Sequence, residues 1–260
     1  MQFNRIFVLS LGCLLLSLST LAHAEKLTIA AASDLKFALD ETVNRFLKNN
    51  PRSEIKVIYG SSGKLYTQIQ QGAPYDIYFS ADISYPDRLV DEGYAKGPAI
   101  PYAVGRIVLW VPDHTLDAAK MTLENLLDPG IKRIAIANPK HAPYGKRAEE
   151  ALKAKGIWSQ LEHKLIYGEN VSQTAQFALT RNAEIGIIAL SLAISNDLDK
   201  QGSYYLIPDT LHTPLEQGFI ITKSAEHNLL AKKFANFMSG TEAKKIMEKY
   251  GFMLPKEHRK

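Results

Sequence analysis

The sequence predicts an α/β protein made of two similar lobes with a cleft between them. Short apolar runs typical of strands alternate with helical patterns over nearly the whole chain after residue 24, which favours mainly parallel strands. The strand-turn-helix unit occurs three times before residue 96 and then starts again. Between these parts, the Gly- and Pro-containing stretch KGPAIP (96–101) indicates a crossover into the second lobe.

In the first lobe, turn residues bound each predicted strand and an apolar stripe marks each helix. Residues 26–32 (KLTIAAA) form the first strand. Apolar residues from Leu35 to Leu47 then fall on one helical face, and the helix ends before Pro51. The other predicted elements of this part are strand 55–59, helix 64–71, strand 76–80 and helix 83–93.

The same pattern continues after the crossover. The predicted elements, in chain order, are strand 106–111, helix 123–127, strand 133–137, helix 145–155, strand 164–167, helix 171–181, strands 185–190, 204–207 and 218–222, and helices 225–238 and 241–250. The chain contains no long repeat, low-complexity tract or charge block.

The first 24 residues have the features of a secretory signal peptide. Arg5 precedes an apolar run over 6–21, and Ala22-His23-Ala24 is a small-x-small cleavage signal. Cleavage after Ala24 would leave a chain of 236 residues in the bacterial periplasm. Lipidation of Cys13 is the alternative use of this segment.

Composition excludes several classes of function. Without residues 1–24 the chain has 30 basic and 27 acidic residues, a balance too even to indicate binding to nucleic acid or to an anionic membrane. Cys13 is the single cysteine, so the exported chain would have no disulfide, thiolate metal site or cysteine nucleophile. The seven histidines lack the i,i+4 spacing of a helical zinc site. We therefore expect no metal site and no cofactor.

Polar or helix-opening residues stand at four strand-to-helix turns. They are Ser33, Ser62, the segment Pro143-Tyr144-Gly145, and Asn170-Val171. A helix N-terminus presents unpaired N–H groups and a partial positive charge, so convergence of these turns on the cleft would create a site for a small oxyanion.

Each of these residues also has an ordinary structural interpretation. Serine before a helix is a common N-cap, Tyr144 could be half-buried packing, and Val171 could be an apolar residue of a first turn. Four cations could add a positive field near the turns, although solvated helix faces are their more common role. These cations are Lys64, Lys146, Arg147 and Arg181.

Stretches distributed along the whole chain resemble the periplasmic molybdate-binding proteins of ABC importers. The stretches are AAASDL (30–35), YGSSGKL (59–65), QQGAPYDIYFSAD (70–82), NPKHAPYGKRAEEAL (138–152), GENVSQTAQFAL (168–179), AEIGII (183–188) and KYGF (249–252). The segment around GAPYDIYFSAD is the most specific of them.

The resemblance implies a two-lobed type II periplasmic binding protein fold. The first lobe would comprise residues 25–103 plus 212–260, and the second residues 104–211. This family binds molybdate, and by near identity of size tungstate, and delivers it to an inner-membrane ABC permease. The implied protein is a non-enzymatic monomer.

The resemblance also implies ligand-binding residues. Ser33 and Ser62 match hydroxyl and amide donors, while Tyr144 and Val171 match positions that bind through their backbone amides. Asp34 is a possible further donor through its N–H. Some members place a tyrosine hydroxyl on the ligand where this chain has Ala189. Either Tyr144 supplies a replacement hydroxyl or the site uses one donor fewer.

Three alternatives remain open from the residues themselves. The ligand could be another tetrahedral oxyanion such as sulfate, phosphate or chromate. The chain could be an exported hydrolase whose serine, histidine and aspartate are dispersed in sequence. It could also use the binding-protein fold as a sensor or adaptor.

Overall fold

The computed structural model describes residues 25–112 and 118–255, in which two five-stranded sheets form the centres of two lobes. The predicted signal peptide and Cys13 lie outside the described residues. The strands are β1 (Glu25–Ala32), β2 (Ser53–Gly60), β3 (Ile77–Ser80), β4 (Ile100–Gly105), β5 (Ile107–Pro112), β6 (Ile134–Ala137), β7 (Leu165–Gly168), β8 (Ile185–Ala189), β9 (Gly202–Leu206) and β10 (Leu215–Ile221).

Helices flank both sheets. They are α1 (Lys36–Asn49), α2 (Ser62–Gln70), α3 (Ser84–Asp91), α4 (Pro143–Ala154), α5 (Trp158–Leu161), α6 (Val171–Leu179), α7 (Leu190–Ala193), α8 (Leu229–Met238) and α9 (Thr241–Lys249). No helix in the part of the chain that the structure describes is long and apolar enough to cross a membrane.

The two sheets have the same topology. In the first lobe the order is β2-β1-β3-β10-β4, and in the second it is β7-β6-β8-β5-β9. The first three strands of each order pair in parallel, and the fourth is antiparallel to both its neighbours. Four of the five strands therefore run in one direction in each sheet, which confirms the predicted mainly parallel α/β class.

The first sheet is buried on both faces, which explains why its central strands are continuously apolar. Ile29 and Ala31 of β1 belong to the core beneath α1, α8 and α9, whereas Ala30 belongs to the core beneath α2 and α3. In the second lobe, β5, β6 and β8 share one core with α4, α6 and α7. Parallel strands followed by helices place the helix N-termini at the carboxyl edge of each sheet.

The predicted crossover at residues 96–101 is wrong. Most of β4 follows this stretch, and β4 is the edge strand of the first sheet, where it pairs with β10. Pro101 suggested a linker, but a proline is tolerated in an edge strand because the N–H that it lacks need not join the ladder. The chain changes sheet at Arg106 and again between Leu206 and Leu215. The lobe boundaries at 103/104 and 211/212 stay a prediction.

Several other element boundaries differ from the prediction. Helix α2 begins at Ser62 and α4 begins at Pro143, both two residues earlier than predicted. Proline suits the first helical position because its φ is already helical and the missing N–H has no partner there. The segment Leu123–Leu127 is a 3-10 helix rather than an α-helix. The short helices α5 and α7 were not predicted.

Candidate ligand-binding site

Four helix beginnings meet in the cleft between the lobes. The residues that line the shared cavity are Ala32, Ser33, Asp34, Gly60, Ser61, Ser62, Ala81, Ala142, Pro143, Tyr144 and Val171. All five residues predicted from the sequence belong to this lining. None of the lining residues is a lysine or an arginine, so hydroxyls and N–H groups are the donors that it offers.

Ser33 connects the lobes at this site. It directly follows β1 and begins a short 3-10 helix, where it is almost completely buried. Its hydroxyl donates to Asn170 Oδ1 at 3.1 Å and accepts from the Ser172 N–H at 3.3 Å, and the Ser172 hydroxyl donates to the Ser33 carbonyl at 2.9 Å. Ser33 therefore does not act as an ordinary helix cap. Donation to a ligand would require its hydroxyl to rotate away from Asn170.

Ser62 occupies the first turn of α2 and is fully buried. Its Oγ accepts a hydrogen bond from the Ala81 N–H at 3.0 Å, so the hydroxyl hydrogen remains to be donated. The N-cap of α2 is Ser61, which makes no side-chain cap and instead hydrogen-bonds to His141 Nδ1 at 2.9 Å. Neither predicted serine caps its own helix.

Tyr144 is the second residue of α4, after Pro143. At this position the main-chain N–H has no partner within the helix, as the predicted amide role requires. The hydroxyl donates to Asp34 Oδ2 at 3.0 Å. The Tyr144 hydroxyl is therefore engaged with Asp34. This argues against the possibility that it binds the ligand in place of the tyrosine hydroxyl that some relatives have at the position of Ala189. Ala189 itself is a buried residue of β8 opposite Ile107.

Val171 is the first residue of α6. Asn170 caps this helix, because its side chain accepts from the Gln173 N–H at 3.0 Å. The cap satisfies the third amide of the helix and leaves the Val171 N–H without a partner inside the helix. The Val171 side chain is buried against the core of the second lobe.

Asp34 is a carboxylate buried beside these donors. Its Oδ2 accepts from Tyr144 and, at 2.8 Å, from Gln217 Nε2, whereas its buried Oδ1 has no hydrogen-bond partner. Burial raises the pKa of the Asp34 carboxyl to about 6, against the opposing effect of the hydrogen bonds from Gln217 and Tyr144. Burial beside this carboxylate also raises the pKa of Tyr144. An anion in the cavity would favour the protonated form of Asp34 still further.

The cations predicted near the turns are neutralised or lie at the surface. Lys64 pairs with Glu169 at 2.5 Å across the rim of the cleft. Arg147 pairs with Asp82 at 3.3 Å and with Glu150 at 2.5 Å, and only 6% of its side chain is exposed. The interpretation as a solvated helix face is therefore wrong for Arg147. Lys146 and Arg181 are exposed.

The lobes are closed on each other in this structure. The space left between the lining residues is about 10 Å³, room for about one water molecule. At the rim, the Gly63 N–H donates to the His141 carbonyl at 2.9 Å, and a Cβ at Gly63 would lie 2.8 Å from that oxygen. Glycine thus permits the close approach of the lobes.

Three residues that connect the lobes around the site were not predicted from the sequence: Ser172, Ser191 and Gln217. The Ser191 hydroxyl donates to the Asp34 carbonyl at 2.8 Å. The role of Gln217 could have been found from the alternation of side chains along β10. Gln217 lies on the same buried side of the strand as Leu215, whereas Glu216 is exposed on the other side. Among the described residues, no group of three or more His, Cys, Asp or Glu side chains could hold a metal ion.

The chain is similar to several known molybdate-binding proteins. A molybdate-binding protein ModA of Rhodobacter capsulatus is 39% identical over 197 residues, which are 75% of this chain and 75% of that protein. The ModA of Azotobacter vinelandii is 32% identical over 95% of this chain and 96% of its own length. A solved structure of the periplasmic molybdate-binding protein of Azotobacter vinelandii matches with a TM-score of 0.83 and 30% identity, over 88% of this chain and 100% of that one.

The family model for bacterial extracellular solute-binding proteins matches residues 27–253, which include all four helix beginnings and both sheets except the first two residues of β1. The chain belongs to the family of bacterial extracellular solute-binding proteins.

Proposed function

We propose that this protein captures molybdate, and tungstate equally well, in the periplasm and delivers it to an inner-membrane ABC permease. The observation that carries the proposal is the convergence of four helix beginnings on one cavity without a lysine or arginine in its lining. The molybdate-binding relatives support the choice of ligand. In this proposal Ser33 and Ser62 donate through hydroxyl and amide groups, and Tyr144 and Val171 through their amides, with the Asp34 N–H as a possible further donor.

Neutral donors suit capture followed by release. Oriented N–H and O–H dipoles stabilise a dianion without a fixed countercharge that would attract every anion. Their stabilisation also depends on closure, because the donors come from both lobes: Ser33 and Ser62 from the first, Tyr144 and Val171 from the second. Opening of the cleft removes half of the donors, so the permease could release the ligand by separating the lobes.

Selection among oxyanions would follow from the size of the cavity. The Mo–O and W–O bonds are longer than S–O or P–O bonds, so a smaller ion could not reach all the donors of a closed site. Each donor left without a partner in a buried site costs about 1–3 kcal/mol. We therefore expect discrimination against sulfate and phosphate, and little between molybdate and tungstate.

The test is isothermal titration of the purified protein with molybdate, tungstate, sulfate and phosphate. We expect one-to-one binding of the first two ions only. In Ser33→Ala and Ser62→Ala, affinity for molybdate should fall about 10- to 100-fold, the effect of losing one hydrogen bond to a charged group. Ser224→Ala is a matched control, since Ser224 hydrogen-bonds to Thr222 outside the cavity.

Two results would contradict the proposal. Equal affinity for sulfate and molybdate would point to a general oxyanion carrier. Turnover of a chromogenic ester or phosphate, lost in one of the serine variants, would instead indicate a hydrolase. Stoichiometric saturation without product supports a binding protein. The same result with no cofactor added to the purified protein supports binding that needs no resident cofactor.

The remaining parts of the proposal concern the context of the protein. We infer export with cleavage after Ala24, and action as a monomer without nucleic acid. Sedimentation of the exported protein tests the monomer, its ratio of absorbance at 260 and 280 nm tests the absence of nucleic acid, and mass spectrometry of its N-terminal peptide tests the cleavage site.

A further inference from the structure

Behind the candidate site lies a buried hydrogen-bond network of three side chains. The Tyr144 hydroxyl and the Gln217 amide both donate to Asp34 Oδ2, at 3.0 and 2.8 Å, and Gln217 Nε2 also lies 3.2 Å from the Tyr144 hydroxyl. All three residues are at most 2% exposed. The mutual bonds close a small triangle of buried side chains.

The network joins the two lobes. Asp34 follows β1 and Gln217 lies on β10, both in the first lobe, whereas Tyr144 belongs to α4 of the second lobe. The Ser191 hydroxyl of α7 adds a bond from the second lobe to the main chain of Asp34. The bonds of Tyr144 and Ser191 to the first lobe cross the cleft and would break when the lobes separate.

The Gln217 amide is held in the orientation that the network needs. A carboxylate oxygen only accepts, so the group beside Asp34 Oδ2 is Gln217 Nε2, and Gln217 Oε1 accepts from the Tyr102 hydroxyl at 2.5 Å. The Nε2 side is then directed to Asp34 and Tyr144. Tyr102 and Gln217 lie on neighbouring strands of one sheet. The first lobe therefore presents to Tyr144 a preformed acceptor, Asp34 Oδ2, and a preformed donor, Gln217 Nε2.

Gly105 leaves the space in which the network fits. It is the last residue of β4, directly before the chain passes into the second sheet. A Cβ at this position would overlap the Tyr144 hydroxyl and would lie 2.7 Å from Gln217 Nε2. The absence of a side chain at Gly105 therefore allows Tyr144 of the second lobe to reach Gln217 and Asp34 of the first.

We propose that Asp34, Tyr144 and Gln217 form an interlobe latch that holds the closed lobes over a bound oxyanion, with Tyr144 as a positioning residue that slows ligand release. The inference rests on the proposed function. The hydroxyl of Tyr144 does not contact the ligand in this arrangement, since it is engaged with Asp34. Helix α4 can thus offer the Tyr144 N–H to the ligand while the Tyr144 side chain holds the helix against the first lobe.

The test measures association and release separately in Tyr144→Phe and Gly105→Ala. Radiolabelled molybdate is bound to the purified protein and chased with excess tungstate, and filter binding follows its release. Tyr144→Phe keeps the amide but removes the latch bond, so we expect release to become about 10- to 100-fold faster. The association rate should change less than twofold. Gly105→Ala removes no polar group and should shift release in the same direction by displacing Tyr144.

Tyr75→Phe is the matched control. The Tyr75 hydroxyl is also largely buried but bonds to Gln68 within the first lobe, at 2.8 Å. Its loss should leave both rates unchanged. Small-angle scattering with saturating molybdate supplies a second readout, in which the latch variants should show a larger radius of gyration than the wild type and Tyr75→Phe should not.

The outcomes separate the latch from the proposed function. Wild-type release rates in both latch variants, or slower association with unchanged release, would overturn the latch and leave oxyanion binding intact. Failure of the wild-type protein to bind molybdate at all would overturn the proposed function and the latch together.

Discussion

Replacement of Asp34 by asparagine is expected to change how stability depends on pH. The pKa of this carboxyl rises from 3.8 to about 6 because the folded protein buries it. The folded protein therefore holds a proton that the unfolded chain releases between about pH 4 and 6, and the wild-type free energy of unfolding falls as pH rises through this window. The loss corresponds to about 3 kcal/mol at pH 8. Asparagine does not titrate, so Asp34→Asn should lack this loss.

Urea unfolding of both proteins from pH 4 to pH 8 measures the effect. The difference in free energy of unfolding, variant minus wild type, should increase by about 2.5 kcal/mol over this range, because part of the wild-type loss is already complete at pH 4. The increase is the decisive quantity, because a constant offset only reports the hydrogen bonds that asparagine makes or loses. Parallel stability profiles would contradict a buried ionised Asp34.

Ligand binding provides a second measurement of the protonation of Asp34. A dianion in the cavity disfavours the ionised form of Asp34, so binding near pH 7 should take up as much as one proton for each molybdate. Titration calorimetry in two buffers of different ionisation enthalpy detects this uptake. Asp34→Asn should bind molybdate without it, and equal uptake by both proteins would assign the proton to another group.

The strands and helices that position the site were predictable because each carries a local signal. Apolar runs such as residues 26–32 and the helical stripe that follows Leu35 are imposed by burial on sheet and helix faces. The helix-opening turns at Ser62 and Val171 were predictable because each lies between a strand pattern and a helix pattern. The strand β4 was not, because Pro101 looks like a linker residue until its place at a sheet edge is known.

The contacts behind the site were beyond a local analysis. Asp34 and Gln217 are 183 residues apart in sequence and meet only because β10 returns to the first sheet beside β3. The side-chain role of Tyr144 depends on the same long-range arrangement. A helix-opening position indicates an available amide, but it contains no information on where the hydroxyl of that residue will find a partner.

The main-chain donor at Val171 can be tested because it occupies the one helical position where proline is well tolerated. Val171 is the first residue of α6, so its N–H makes no bond within the helix, and a proline there removes the donor without breaking the helix. The preceding Asn170 is extended, with φ −150° and ψ 174°, which suits a residue before proline. Val171→Pro should therefore fold.

We expect Val171→Pro to weaken molybdate binding about 10- to 100-fold, because a hydrogen bond to a charged ligand contributes about 1.5–3 kcal/mol. The matched variant Val171→Ala loses side-chain packing but keeps the N–H, so its affinity should stay within about threefold of the wild type. Titration calorimetry gives both affinities, and thermal unfolding checks that the two variants fold. Equal affinity of the proline and alanine variants would remove Val171 from the set of donors. A large loss in the proline variant alone would assign binding to the backbone, which explains how an apolar residue can be part of an anion site.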